Sequence, residues 1–324
     1  MNDFAKGMEI NEFDKRILYE LDRDSRAPLS VLSKKLKKSK QFIDYHMGKL
    51  ESEGIIAGYN AIIDASKLGF FTYRFYVKLK QINAGKEKDI LDFLNHSKEV
   101  WTVAKLYGKW DYAFFVGAEK MKDLYSVWEK FNLRFKKNIK DYEMALYGKI
   151  TNLNKRFFMD GNPVAIERTY GTSDKSRFDE TDFRIIEILS KNARTSLVEI
   201  SNKIKKSLNT TKRKMNELEN KGIICGYKLD INLKPLNYTG YRVDLYLSSN
   251  KRKDEICKFC KSHKKIYLVV NPIGGADLEL SFITKNLYEL HDEIGALKEL
   301  FGEDISHYEY FEFSNFTKIT LTPD

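Results

Sequence analysis

The chain has 324 residues, with 56 Lys and Arg against 46 Asp and Glu and a formal net charge of +10. Its ordinary composition and length predict a soluble protein with two domains or two pairs of domains, each large enough to bury a core. No apolar run approaches the roughly 18–20 residues of a membrane span, and the first ten residues lack the apolar stretch of a secretory signal. The three cysteines show no paired spacing across the chain, so a cytoplasmic protein without a membrane partner is expected.

The chain contains one segment twice. Residues 14–59 and 182–227 align without a gap at a spacing of 168, and 19 of these 46 positions are identical. The identical pairs include Asp14/Asp182, Arg26/Arg194, Ser39/Ser207, Met47/Met215, Gly54/Gly222 and Tyr59/Tyr227. Solenoid repeats have periods of only about 20–50 residues, so a period this long indicates two whole modules in tandem.

Each module opens with three predicted helices. Apolar residues recur at helical spacing, as in Ile17, Leu18 and Leu21. Ser39 and Ser207 stand where the N-cap of a third helix is expected, and Gly54 and Gly222 where that helix should end. Three short helices, the last two joined by a tight turn, predict a helix-turn-helix unit, and the alternating residues that follow predict a strand pair that forms a wing.

The remainder of each module has the predicted order strand–helix–strand–strand–helix–strand. The six elements fall at 72–81, 87–97, 100–107, 111–118, 121–137 and 141–151 in the first copy, and at 240–248, 252–263, 266–273, 277–284, 286–301 and 306–319 in the second. This order is typical of a ferredoxin-like α+β fold, with a four-stranded antiparallel sheet and two helices on one face. The other face is rich in aromatic residues, so we expect a second such sheet to cover it.

These patterns predict two copies of the same pair of domains. Winged helix-turn-helix domains are expected at 10–60 and 178–230, and ferredoxin-like domains at 61–158 and 231–324. Residues 159–177 collect Gly, Pro, Ser and Thr without periodicity and are interpreted as a linker. A linker of this length allows the two copies to fold back on one another as an intramolecular pseudo-dimer.

Positive charge is concentrated around each third helix, which favours double-stranded DNA as a partner. The N-terminal residues of a recognition helix enter the major groove, while neighbouring cations neutralise phosphates. A solvated charged face on a protein-interaction module is the alternative interpretation. The predicted DNA-binding residues are Lys38, Ser39, Lys40, Gln41, Tyr45 and His46 in the first copy, and Lys206, Ser207, Asn209, Lys212, Arg213 and Lys214 in the second. Gln and Asn can read adenine and Arg can read guanine, so Gln41, Asn209 and Arg213 are the candidate base readers.

Both copies resemble the Lrp/AsnC (feast/famine) family of transcription regulators. The resemblance rests on Asp14-x-x-Ile17-Leu18-x-x-Leu21, Leu50-Glu51-x-x-Gly54-Ile55-Ile56-x-Gly58-Tyr59 and Gly108-Lys-Trp-Asp111, with the corresponding residues of the second copy ending in Gly274-Gly-Ala-Asp277. It implies a sequence-specific DNA-binding regulator that dimerises through its ferredoxin-like (RAM-type) domain. The chain departs from the family in its tandem fusion and in the third helices, where His46 and Lys214 replace the usual Arg.

The resemblance also implies an amino acid or related small molecule as effector, bound near the Gly-x-x-Asp turns. The implied effector-binding residues are Gly108, Asp111, Gly274 and Asp277. The alternative is a structural turn, in which Gly supplies a positive φ and Asp caps the backbone. The two turns differ, since Trp110 stands beside the first and Ala276 beside the second.

Two other functions remain open at this point. Siroheme decarboxylases resemble the same layout but carry a His-Asn-Tyr-type motif on the second strand, and neither 101–107 nor 267–273 contains a histidine. A sequence-indifferent DNA-compacting protein is the other alternative. Cys257-x-x-Cys260 lacks a second ligand pair at zinc spacing. We therefore predict no catalytic residue, metal site or cofactor, and leave open whether pseudo-dimers assemble further.

Overall fold

The computed structural model describes residue 8 and residues 10–320. Residues 1–7, 9 and 321–324 lie outside the described residues; they include part of the N-terminal stretch and the end of the last predicted domain. The first helical unit comprises α1 (Glu12–Arg23), α2 (Leu29–Leu36) and α3 (Lys40–Ser52). Ser39 caps α3 by accepting a hydrogen bond from the backbone N–H of Phe42 at 3.2 Å, and Gly54 follows the helix at a φ of 68°. Both predicted helix boundaries are confirmed.

A single strand, β1 (Ile56–Ile63), and a short helix, α4 (Ala65–Leu68), lead into the first ferredoxin-like unit. This unit comprises β2 (Phe71–Leu79), α5 (Ala84–His96), β3 (Val100–Gly108), β4 (Tyr112–Ala118), α6 (Met121–Phe135) and β5 (Ile139–Leu153). A further strand, β6 (Glu167–Tyr170), lies within the predicted linker and pairs with β5. Four residues are too few to show a period, so β6 is not predicted from the sequence.

The second copy repeats this order. Its helical unit comprises α7 (Glu180–Lys191), α8 (Leu197–Ile204) and α9 (Leu208–Asn220), followed by β7 (Ile224–Ile231). Its ferredoxin-like unit comprises β8 (Thr239–Leu247), α10 (Lys253–Ser262), β9 (Ile266–Ile273), β10 (Leu278–Thr284), α11 (Leu287–Phe301) and β11 (Ile305–Ile319). The α+β fold class and the tandem βαββαβ order are therefore confirmed. Among the described residues, no helix combines the length and apolar character needed to cross a membrane.

The wing differs from the expected local strand pair. Each copy supplies one strand, and β1 pairs antiparallel with β7 of the other copy, with Tyr59 opposite Leu229 and Ala61 opposite Tyr227. β1 is followed by Asp64 and α4, and no hairpin turn reverses the chain onto β1. The backbone hydrogen bonds of each strand are therefore satisfied across the two copies, in a two-stranded element that we call the ribbon.

The ferredoxin-like sheets are joined at both edges by the two longest strands. The first half of β5 pairs with β2 of its own copy, and from Leu146 onward β5 pairs with β9 of the other copy. In the same way, β11 pairs with β8 and then with β3. The strand order β2-β4-β3-β11-β8-β10-β9-β5 returns to β2, so the ring of eight strands is closed. Each of these eight strands therefore pairs with two others in the ring.

Four apolar cores result from this arrangement. In each copy, the two helices pack on the outer face of their own sheet, around Phe131 in the first copy and Phe282 in the second. A third, smaller core contains Tyr76, Trp110 and Phe311 and fills space between the two inner sheet faces. The fourth core includes buried residues of both helix-turn-helix units and of the ribbon. One continuous core therefore fixes the two helix-turn-helix units relative to each other.

Candidate nucleic-acid interface

The helix-turn-helix turn has the same conformation in both copies. Lys37 and Lys205 end α2 and α8 in the left-handed region, with φ of 54° and 53°. Ser39 and Ser207 follow as N-caps, and each accepts a hydrogen bond from a backbone N–H in the first turn of the next helix, at 3.2 Å. Their hydroxyls therefore support the start of the recognition helix, which positions the residues that follow.

In the first copy, α3 buries Ile43, Met47 and Leu50 against the helical core. The remaining face is exposed and carries Lys40, Gln41, Asp44 and Tyr45, with 70% of Tyr45 accessible. Lys38 precedes the helix, and its ammonium lies 5.3 Å from the ring centroid of Phe42. A cation, an amide and a phenol are thus exposed together on the N-terminal half of the helix. In a helix-turn-helix protein, residues at this position of the recognition helix contact the edges of the bases.

The exposed face of α9 has different chemistry. Asn209, Lys212 and Arg213 are exposed, while Met215 and Leu218 are buried. Arg213 is paired with Glu217 one helical turn later, at 2.5 Å. This exposed ion pair is weak, so the guanidinium is free to leave Glu217 for an acceptor on DNA. Lys206 lies exposed just before the helix.

Two of the predicted DNA-binding residues face the first helix of their own unit. The Nδ1 atom of His46 lies 2.6 Å from Asp14 Oδ1, and the Nζ atom of Lys214 donates to Asp179 at 2.7 Å and to Asp182 at 2.9 Å. Burial works against the Lys214 charge, but these hydrogen bonds outweigh it and raise its pKa. Both side chains therefore tie the recognition helix to the unit that carries it.

A reciprocal pair of arginines connects the two units. Arg26 donates through Nη1 to the carbonyl oxygens of Ala193 and, at 2.9 Å, of Thr195. Arg194 donates to the carbonyl oxygens of Ser25 at 3.0 Å and of Ala27 at 3.3 Å. We call this pair the arginine clasp.

The repeated tyrosines and glutamates complete the same interface. The Tyr59 hydroxyl donates to Glu51 at 2.5 Å, and the Tyr227 hydroxyl donates to Glu219 at 2.5 Å. The Arg194 guanidinium lies 5.2 Å from the Tyr59 ring centroid, and that of Arg26 lies 5.9 Å from the Tyr227 ring. The identical residues of the two copies therefore hold the units together, whereas the exposed residues of α3 and α9 differ.

The Gly-x-x-Asp turns are shaped by their aspartates. Asp111 accepts hydrogen bonds from the backbone N–H of Leu79 at 2.7 Å and from Lys78 Nζ at 2.8 Å. Asp277 accepts from the backbone N–H of Leu247 at 2.8 Å. Gly108 and Gly274 have φ of 130° and 88°. Each turn thus has the geometry expected of a structural turn, and effector binding at these four residues stays a prediction.

A buried ionic cluster, not predicted from the sequence, lies between the inner sheet faces. Arg74 and Glu279 are both fully buried and hydrogen-bonded, and Arg242 Nη1 lies 3.4 Å from the same carboxylate. The Tyr147 hydroxyl donates to Glu279 at 2.7 Å. Burial opposes the Glu279 charge, but attraction from Arg74 and Arg242 outweighs it and lowers the pKa of this carboxyl.

Asp244 completes the cluster with the opposite behaviour. It is fully buried, and neither of its carboxylate oxygens has a hydrogen-bond partner among the described residues. Burial, followed by repulsion from Glu279, raises its pKa well above the ordinary range. The pKa values of the two neighbouring acids are therefore shifted in opposite directions, which favours the charged form of Glu279 and the neutral form of Asp244.

Comparison with known proteins identifies the chain. A model described as winged helix-turn-helix DNA-binding matches residues 10–57 and 178–224. An uncharacterized HTH-type transcriptional regulator of Pyrococcus furiosus is 34% identical over 135 residues, which span 41% of this chain and 74% of that protein. The HTH-type transcriptional regulator LrpA of Pyrococcus horikoshii is 48% identical over 61 residues, 19% of this chain and 43% of LrpA. The chain belongs to the Lrp/AsnC family of DNA-binding transcription regulators.

Among solved structures, that of the siroheme decarboxylase NirDL is similar over nearly the whole length. The TM-score is 0.64 at 16% identity, and the similarity covers 97% of this chain and 94% of that chain. At this identity the similarity concerns the fold alone. The curated regulators match less than half of this chain, so this family member is about twice their size.

Proposed function

We propose that this Lrp/AsnC-type protein recognises an asymmetric DNA operator as a single chain, with α3 and α9 each reading a different half-site. The observation that supports this proposal most directly is the shared core of the two helical units. The ribbon pairs a strand of each copy with a strand of the other, and the arginine clasp connects the copies through Arg26 and Arg194, which the duplication has kept identical. The chain would thus act as an intramolecular pseudo-dimer in the cytoplasm.

The asymmetry follows from the exposed residues of the recognition helices. Lys40, Gln41 and Tyr45 in α3 correspond to Leu208, Asn209 and Arg213 in α9. Gln and Asn both fit adenine, whereas Arg fits the O6 and N7 atoms of guanine. A homodimer presents the same helix twice and selects a palindrome. Two different helices on one core should select two dissimilar half-sites about one helical turn apart, or a multiple of that distance.

Selection of bound DNA from a random pool tests this proposal. We expect the parent chain to enrich a motif with two unlike halves at a fixed spacing. Exchange of Gln41 for Ala should relax one half, and exchange of Asn209 for Ala should relax the other. Enrichment of a palindrome would contradict the asymmetry, and steep salt dependence without any enriched motif would instead indicate DNA compaction.

An effector of the amino-acid type at the Gly-x-x-Asp turns is part of the same proposal. Because Asp111 and Asp277 hold backbone N–H groups, a ligand at these turns would contact main-chain atoms and neighbouring side chains rather than the free carboxylates. Exchange of Asp277 for Asn should therefore lower stability even without ligand. A ligand-induced change in DNA affinity that this variant loses, at a temperature where it is folded, would support the site.

We also propose that the chain is not an enzyme. The likeness to siroheme decarboxylase NirDL concerns the fold, and the strands that should carry the catalytic motif contain no histidine. Addition of siroheme followed by absorbance spectroscopy tests this directly. A shifted porphyrin spectrum together with loss of a carboxyl group would contradict our proposal.

A further inference from the structure

A cavity of about 170 Å³ lies where the ribbon meets the ferredoxin-like unit of the first copy. Its wall is formed mainly by apolar and aromatic side chains, including Ile62, Phe70, Trp101, Phe115, Ile150 and Tyr170. Trp101 is the second residue of β3, which ends at Gly108, so the cavity and the Gly-x-x-Asp turn lie toward opposite ends of this strand. The cavity is therefore distinct from the effector position implied by the family resemblance.

A single basic side chain reaches the cavity. Lys228 comes from β7 of the second copy, opposite Asn60 in the ribbon, and lines the cavity. It forms no hydrogen bond or ion pair with the residues that the structure describes. Burial, together with repulsion from Lys155, lowers its pKa. A partly buried ammonium without a counter-ion is unfavourable, so this position favours a negatively charged ligand.

The nearby acids do not supply this negative charge. Asp22 accepts from Lys155 Nζ at 3.1 Å and from the backbone N–H of Leu229 at 3.0 Å. Asp230 lies near enough to favour the Lys228 charge, yet forms no ion pair with it in the described part of the chain. The cavity lining contains no Asp or Glu among its described residues.

The shape and charge of the cavity define the class of ligand. An apolar cavity of roughly 150 Å³ accommodates benzene, so this cavity has room for one ring or one branched aliphatic chain. Lys228 supplies a partner for a carboxylate. The described lining supplies no carboxylate for an α-ammonium group, which Lys228 and Lys155 would repel. We infer that the cavity binds one small monocarboxylate with an aromatic or branched aliphatic body, such as a 2-oxo acid, in preference to the corresponding amino acid.

The second copy lacks an equivalent of this site. The position of Lys228 is taken by Asn60, which carries no charge, and the position of Phe70 is taken by Tyr238. The Tyr238 ring packs against Phe157, with centroids 4.6 Å apart. We therefore expect one ligand per chain. Because Lys228 belongs to the ribbon and the aromatic wall to the sheet, a ligand would connect the element that carries the DNA-binding units to the ferredoxin-like unit.

Isothermal titration calorimetry on the full chain without DNA tests the site. The probes are phenylpyruvate and 4-methyl-2-oxopentanoate, each compared with its amino acid, phenylalanine or leucine. We expect one binding event per chain for the oxo acids, at least about tenfold tighter than for the amino acids. Failure of the parent chain to bind either oxo acid, or equal binding of the amino acids, overturns the inference.

Variants at Lys228 locate the binding event. Lys228→Met keeps the aliphatic stem and removes the charge, so it should weaken oxo-acid binding at least about tenfold while raising the melting temperature of the free protein. Lys228→Arg should retain binding within a few-fold, and Lys191→Met, at an exposed position of α7, should behave like the parent. Unchanged binding to Lys228→Met overturns the inference. DNA is absent throughout, so failure of DNA recognition would leave this result intact.

Discussion

Exchange of Glu279 for Gln should destabilise the pairing of the two sheets. The substitution keeps the size of the side chain and removes the charge that faces two buried guanidinium groups, those of Arg74 and Arg242. Removal of one partner from a buried ion pair costs about 3–5 kcal/mol. Asp244 reduces this loss, because repulsion from Glu279 contributes to its raised pKa and its carboxyl can ionise once that charge is gone. We therefore expect a loss of about 2–3 kcal/mol in the free energy of unfolding.

Urea unfolding followed by tryptophan fluorescence measures this loss. All three tryptophans belong to the first ferredoxin-like unit, and Trp110 lies in the core between the sheets. The matched control is Glu309→Gln, which breaks the exposed pair between Lys109 and Glu309 across the same two copies and should cost less than about 1 kcal/mol. The double variant Glu279→Gln/Asp244→Asn should lose more than the sum of its parts, since no acid then remains beside the arginines. Equal losses for Glu279→Gln and the control would refute this reasoning.

Three further predictions concern pH, the clasp and DNA. The raised pKa of Asp244 means that the folded state holds a proton which the unfolded chain releases above about pH 4, so this group lowers stability as pH rises toward the folded pKa. Asp244→Asn should therefore be more stable than the parent at pH 7–8, with a gap that narrows toward pH 4 in urea titrations; a constant gap would contradict a shifted pKa. Exchange of both Arg26 and Arg194 for Met should weaken binding to a full operator more than binding to a half-site, as measured by fluorescence anisotropy. An equal loss of affinity for both DNAs would show that the arginine clasp does not set the separation of the two recognition helices. Arg213→Ala should cost about 1–3 kcal/mol of binding free energy on its own half-site and relax base preference there. Lys206→Ala should weaken binding to all DNA sequences about equally and reduce the slope of log affinity against log salt concentration by about one. The reverse pattern would show that Arg213 contacts phosphate and Lys206 contacts a base.

Much of the fold follows from the sequence because the duplication and the apolar periodicity agree. Ser39 and Gly54 identify the ends of a helix whose buried residues recur at helical spacing, and the second copy repeats the signal independently. The pairing of strands across the copies is not visible in this way. Local alternation shows that residues 56–63 form a strand, but it carries no information about which strand is the partner.

The buried ionic cluster inside the ring of strands is not predicted from the sequence either, for a related reason. Arg74 alternates with Tyr73 and Phe75, so a half-buried strand places it on the polar side. In the folded chain that side faces the other sheet, and Arg74 is fully buried. The repeat of Arg74 as Arg242 at the spacing of 168 was the available signal. No such repeat in the sequence indicates a role for Lys228, because the corresponding residue of the first copy is Asn60.

The central claim, that the two recognition helices read different half-sites in one fixed orientation, can be tested by directed cleavage of DNA. An iron chelate is attached to a cysteine introduced by Gln41→Cys or by Asn209→Cys, and the complex with the selected operator is exposed to peroxide. Native Cys225 should react slowly, since burial raises its pKa to about 12, and the parent chain gives the background. We predict that the probe on α3 cuts one half-site and the probe on α9 cuts the other. Cleavage of both half-sites by each probe would contradict the claim.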